Sequence, residues 1–209
     1  ESPTGVAVDA PTRKVFEQTV GLLEDMGHEL RPVPPPVDAR FAEDFIHYWS
    51  MLAYAVSVAG RQLFDKSFDR SKLTMLTEGL AAQFRSRMAR TPGVVWRLRR
   101  SAVAYEAQFR DLDVILSPTL AHLPPEIGHL GTHLHFDVLF PRVERWVGFT
   151  PLANATGAPA ISLPLGHDDE TNLPVGMMLS APLGGDGLLL RLARELESAQ
   201  PFRSLADES

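Results

Sequence analysis

Two apolar runs separated by a polar break constrain this chain more than any other feature. Ala158 to Leu165 and Leu173 to Ala181 are each bounded by Pro or Gly, and between them lies His167-Asp168-Asp169-Glu170-Thr171-Asn172, a run too polar to bury. Short apolar runs flanked by turn residues read as buried strands, so this segment predicts a hairpin. Gly184-Gly185-Asp186-Gly187 then turns the chain, with Asp186 placed to cap the following amides, and Leu189, Leu192, Ala193 and Leu196 recur at helical spacing. A closing helix packed on the sheet is expected.

Upstream, three stretches organise the chain: a helix and edge strand in 1–37, a helical region in 38–112, and the sheet core with its closing helix in 113–209. Asp9 is a candidate cap for a helix from Ala10-Pro11, with Val15, Phe16, Val20, Leu22, Leu23 and Met26 on one side and Gly27 at its end. His28 to Val33 reads as a short edge strand, and the stiff run Pro32-Val33-Pro34-Pro35-Pro36 marks the crossing to helices. Those helices are expected over Phe41 to Ala59, Ser71 to Arg90 and about Val94 to Asp111, the last two separated at Thr91-Pro92-Gly93. Asp113 to Leu116 is then a buried strand, and Ser117-Pro118-Thr119 leaves its C-terminal end, where open α/β sheets present ligand-binding residues.

A chain of 209 residues, 44% apolar and 22% charged, is long enough to bury one continuous core and has the composition of a globular protein. No apolar run approaches the roughly 18 to 20 residues that span a bilayer, and Glu1-Ser2-Pro3-Thr4 does not open a signal sequence, so a soluble protein without a membrane partner is expected. The chain has no cysteine, which removes disulfides and thiolate chemistry and fits a cytoplasmic location. A net charge of -6 argues against nucleic acid; the arginines between Arg85 and Arg100 read as a solvated helical face.

Chemistry of the chain's own is hard to assemble. His122, His129, His133 and His135 with Glu126 and Asp137 form the densest group of potential ligands, but His133 and His135 point oppositely if extended, and His129 and His133 align only if helical. A solvated loop explains them better than a metal site. Ser117 with His122 would need an elbow such as Gly-x-Ser-x-Gly to expose the hydroxyl, and none is present. The turn at Gly184 to Gly187 carries an Asp that repels anions, and Trp49, Trp96 and Trp146 suit core or rim packing.

From Phe149 onward the residues Phe149-Thr150, Asn154, Thr156-Gly157, Pro159-Ala160, Ser162, Pro164, Gly166, Leu173-Pro174, Gly176, Leu179, Asp186, Leu189 and Leu196-Glu197 follow one another at characteristic spacing, after Asp113-x-x-Leu116-x-Pro118-Thr119. In this order they resemble the amidase-signature hydrolases. Leu123-Pro124-Pro125 and the ending Leu196 to Phe202 look closest to the bacterial branch that hydrolyses linear and cyclic nylon oligomers. The resemblance implies an α/β fold with a mixed β-sheet covered by helices, no metal or organic cofactor, and cleavage of a small-molecule amide. In that family a serine nucleophile, a second serine preceded by a cis peptide bond, and a lysine kept neutral by burial do the chemistry, within a Gly-Ser-Ser-Gly-Gly-like tract.

That tract is absent here. The chain has no Ser-Ser pair, and its lysines, Lys14, Lys66 and Lys72, stand in polar contexts that keep them cationic. The resemblance therefore implies a C-terminal half whose partner is the N-terminal catalytic half, with Glu1-Ser2-Pro3-Thr4 in the loop between halves; the alternative is a non-catalytic binding or assembly domain that keeps the fold. No catalytic residue is expected in this chain. Ser117, Thr119, Val147, Phe149, Thr150 and Asn154 are the substrate-lining candidates, because they lie at a strand end or near the start of a helix facing the other half. Val147 stands where the glutamine-using branch carries an Asp that reads the substrate's ammonium. The likelier role for Asn154 on sequence grounds is a buried amide satisfying loop backbone. A sheet cut midway would expose strand edges and favour contact with the other half or association between copies.

Overall fold

The hairpin forms as expected in the computed structural model, which describes residues 2–203; Glu1 lies outside them. Strands β2 (Ala160–His167) and β3 (Pro174–Ser180) pair antiparallel, with an irregularity between Pro164 and Gly166, and β1 (Ile115–Pro118) pairs antiparallel with the other edge of β3. The order is β1-β3-β2, so β3 is central and its residues from Met177 to Ser180 are all buried. Both pairings within the chain are antiparallel. β1 begins later than its apolar run suggested, because the ladder is taken up at Ile115 and runs on through Ser117 and Pro118.

Among the described residues seven α-helices accompany this sheet: α1 (Ala10–Asp25), α2 (Phe41–Leu63), α3 (Met75–Arg87), α4 (Thr91–Gln108), α5 (Phe136–Trp146), α6 (Thr150–Thr156) and α7 (Asp186–Ala199). Alternation in the ladder sends Val175, Met177 and Leu179 to one face, where Val15 and Leu23 of α1 and Leu189, Leu192 and Leu196 of α7 close over them. Each such side chain removed from water stabilises the fold by about 1.5 to 3 kcal/mol. The opposite face carries Ile115, Ser117, Gly176, Met178, Ser162 and Ser180. Ile115 packs among Phe41, Val94, Leu98, Tyr105, Leu152 and Ala158, which seat α2, α4 and α6 on that end of the face. The Tyr105 hydroxyl donates to the Ala181 carbonyl at 3.1 Å, and burial pushes its ionisation up to about 12. Met178 is covered by Val6 and Val8 of the N-terminal segment with Ala121 and Phe149.

Asp9 caps α1 through Oδ1, which accepts from the Thr12 amide at 2.9 Å, while Oδ2 accepts from the Leu123 amide at 3.0 Å. One carboxylate thus ties the start of α1 to the loop after β1.

Four local expectations are corrected. His28 to Val33 forms no strand: Pro32 and Pro34 to Pro36 lack amide donors, and the segment is tethered by side chains, with Arg31 donating to the Asp111 carbonyl and Gln108 to the Pro34 carbonyl. The helix placed over Ser71 to Arg90 starts at Met75 under a Thr74 cap, preceded by a 3₁₀ turn at Arg70–Lys72. Thr91-Pro92-Gly93 is the first turn of α4, since Pro is at home there, and the break is the 3₁₀ turn Met88–Arg90. Asp186 is the first residue of α7 rather than its cap; Gly185 holds the cap position, and no side chain bonds there. Its carboxylate still faces the positive end of the helix dipole.

Candidate functional site

The uncovered corner of the sheet lies at the C-terminal end of β1, on the face opposite α1 and α7. Thr119 continues β1, its amide donating to the Gly176 carbonyl at 3.0 Å, and its hydroxyl meets that of Ser162 on β2 at 2.6 Å. The two side chains bridge across the central strand. They do so because Gly176 has no side chain: a Cβ there would stand 3.0 Å from the Ser162 hydroxyl and 3.1 Å from that of Thr119. Ser162 is exposed, so the corner presents two hydroxyls around a glycine rather than a packed apolar layer. Ser162 was not among the expected lining residues; only its place in the ladder, opposite Met178, puts it beside Thr119's bond.

The other candidates gather around this corner in part. Ser117 pairs in register with Met178, but its hydroxyl donates locally to the Pro118 carbonyl at 3.1 Å and makes no bond to His122. Phe149 is buried against Met178 and Ala121 on the same face as the corner, so it covers the neighbouring part of that face instead of lining the open part. Thr150 and Asn154 lie one turn apart on α6, and Asn154 is exposed. The expectation of a buried Asn154 amide holding loop backbone is therefore corrected. α6 ends at Gly157, whose positive φ of 72° lets its amide close on the Ala153 carbonyl without help from a side chain. Val147 follows α5 and is half-buried; its carbonyl and that of Gly148 accept from the Thr4 hydroxyl.

Groups that could carry independent chemistry are otherwise engaged. Lys14 forms an exposed ion pair with Asp169, which raises the lysine pKa, and Lys66 and Lys72 are exposed. None of the three is buried. His122 and His129 both pack on the Trp146 ring, with centroids at 5.7 and 5.3 Å, and among the described residues no group of three His, Asp or Glu is arranged to hold a metal ion. Trp49 packs on Phe140, whereas Trp96 is exposed under the Arg100 guanidinium at 4.9 Å. No helix among the described residues is long and apolar enough to cross a membrane.

Comparison with known proteins bears on the whole chain. Residues 2–190 match the Amidase family. A putative amidase AmiC of Mycobacterium bovis is 42% identical over 191 residues, covering 91% of this chain and 40% of that protein. The 6-aminohexanoate-cyclic-dimer hydrolase of a Pseudomonas species is 38% identical over 96 residues, covering 43% of this chain. In three dimensions, a solved 6-aminohexanoate cyclic dimer hydrolase complexed with substrate superposes with a TM-score of 0.76 at 22% identity, covering 96% of this chain and 44% of its own. That likeness shows a shared fold. The chain spans about 40% of the length of the AmiC proteins it matches, and it belongs to the amidase family, with the α/β fold of the amidase-signature enzymes.

Proposed function

We propose that this chain is the C-terminal portion of an amidase that hydrolyses a linear or cyclic carboxamide, and that it supplies the scaffold and one wall of the substrate cavity. The observation that carries this reading is the uncovered corner at the end of β1, where Thr119 and Ser162 present hydroxyls beside Gly176 while Lys14, Lys66 and Lys72 are all exposed. The nucleophilic serine, the serine preceded by a cis peptide and the neutral lysine belong to the N-terminal half, which is this chain's partner. In that mechanism the serine oxygen attacks the amide carbonyl and its proton passes through the second serine to the lysine; the C–N bond then breaks, the amine leaving with that proton, and water hydrolyses the acyl-serine to the carboxylic acid and free serine. The wall contributed here orients the amide through hydroxyl hydrogen bonds and excludes water. The chain by itself is inactive. No cofactor is required by this chemistry.

Val147 sets the polarity of the preferred substrate. An apolar side chain cannot pair an ammonium, and an unpaired ammonium in a dry cavity costs about 2 to 5 kcal/mol. The test is kcat/KM for glutamine against an aliphatic amide of similar length, measured on the longer protein that contains this chain, with and without Val147→Asp. The aliphatic amide should lead in the wild type, and the substitution should narrow the gap by about tenfold, equivalent to ~1.4 kcal/mol. Glutamine leading in the wild type would sink both the substrate class and the role of Val147.

A further inference from the structure

The tip joining α2 to α3 is built in a way that the amidase reading does not use. Near its end α2 departs from helical geometry at Ala59, and Gly60 lets the Phe68 ring close on the helix, since a Cβ there would stand 2.3 Å from that ring. Arg61 donates to the Phe68 carbonyl at 3.3 Å, and Phe64 stacks on Phe68 with centroids 5.9 Å apart. These contacts hold two large apolar side chains outward: Leu63 is 57% and Phe64 66% exposed. Met75, opening α3, is also exposed. The side-chain hydrogen bonds recorded from 61 to 74 stay within this stretch or reach only Thr77, so the tip stands on its own.

Charge surrounds this apolar end unevenly. Asp65 and Asp69 are exposed and accept from the amides of Ser67 and Ser71 at 2.8 and 3.0 Å; Arg61, Lys66, Arg70 and Lys72 outnumber them, are exposed as well, and among the described residues none of these four forms an ion pair. Exposed apolar side chains ringed by long-stemmed cations match a layered partner: anionic headgroups above acyl chains.

We propose that the α2–α3 tip is a peripheral docking site for an anionic phospholipid surface, with Leu63 and Phe64 entering the headgroup boundary and the four cations lying over it. Such attachment needs no spanning helix, so the expectation of no membrane partner, which rested on the lack of a spanning segment, does not bear on it. This attachment is independent of the amidase reading, since adsorption requires no catalysis.

Co-sedimentation with vesicles of phosphatidylcholine alone, and of phosphatidylcholine mixed with phosphatidylglycerol, tests the proposal on this chain and on the longer protein. The mixed vesicles should carry down the protein, the neutral ones should not, and added salt should release it. Leu63→Asp combined with Phe64→Asp should weaken binding about tenfold or more, and so should Lys66→Glu, Arg70→Glu and Lys72→Glu together. Leu190→Asp, at an exposed leucine of α7, should leave it unchanged. All these positions are on the surface, and unchanged circular dichroism would verify the fold. Absence of binding to the mixed vesicles, or binding that the tip variants leave intact, would overturn the proposal; if only the longer protein fails to bind, the tip is covered by the rest of that protein and the proposal fails likewise.

Discussion

Asp44 and Arg97 show how a single pair fastens the helical region. The Asp44 carboxylate is 5% exposed and accepts from Arg97 at both oxygens, each at 2.6 Å, whereas the guanidinium keeps a path to water. The two ends of the pair are therefore unequal. Arg97→Ala strands a carboxylate in the interior and should cost about 2 kcal/mol, less than a fully buried pair because Arg97 is partly solvated; Asp44→Ala frees a guanidinium that can hydrate and should cost about half as much. Urea unfolding of both variants measures the difference. One turn along α2, the His47 ring is buried, and its Nε2 meets the Thr91 hydroxyl at 3.0 Å; because that hydroxyl donates to the Met88 carbonyl, His47 is the donor. Burial lowers the His47 pKa, Asp44 opposes the shift, and Arg90, Arg87 and Arg97 reinforce it. The unfolded chain then binds the proton more readily, so the stability owed to neutral His47 is intact above the ordinary value of about 6.5 and is lost as pH falls from there through the lowered folded pKa. His47→Gln should flatten the fall in Tm over that window. A wild-type slope that survives the substitution would place the titration elsewhere.

α1 docks on the sheet through a close approach that can be tested as a unit. A Cβ on Gly166 would stand 2.5 Å from Val15 Cγ1, so Gly166→Ala should destabilise by about 1 to 3 kcal/mol through overpacking. Val15→Ala removes the obstacle, and the double variant should be more stable than the sum of the two single losses predicts; simple additivity would show that the contact does not hold α1 in place. Elements of this kind were legible where one period dominated. The hairpin, α7 and α1 each showed a clean apolar pattern, and Asp9 announced its cap. α5 did not: its stretch carries Pro141 inside a helix and follows a histidine-rich loop, and only packing of Phe136 and Phe140 with Leu80 and Trp49 shows why it forms. The edge strand expected at His28 to Val33 failed although the proline run marked its end, because Arg31 and Gln108 side chains tether the segment in place of a ladder. At the candidate site, Ser117 and Thr119 were legible from their place at a strand end. The Thr119 to Ser162 bond depends on register across β3, which one-dimensional spacing does not carry.

For the whole molecule, one face of the sheet is sealed by α1 and α7, and the other is sealed at one end by α2, α4 and α6 but bare around Thr119 and Ser162. The chain spans about 40% of the AmiC proteins, and under the proposed function the bare corner at the strand end is completed by residues from another part of the protein. The central claim is that the acyl-accepting serine lies outside these residues. It is tested most directly by a fluorophosphonate probe, which phosphonylates an activated serine, applied to this chain and to the longer protein that contains it, with the modified residue mapped by mass spectrometry. The account predicts no labelling of the isolated chain, and labelling of the longer protein at a serine outside residues 1–209; stoichiometric labelling of Ser117, Ser162 or any other serine of this chain would contradict it.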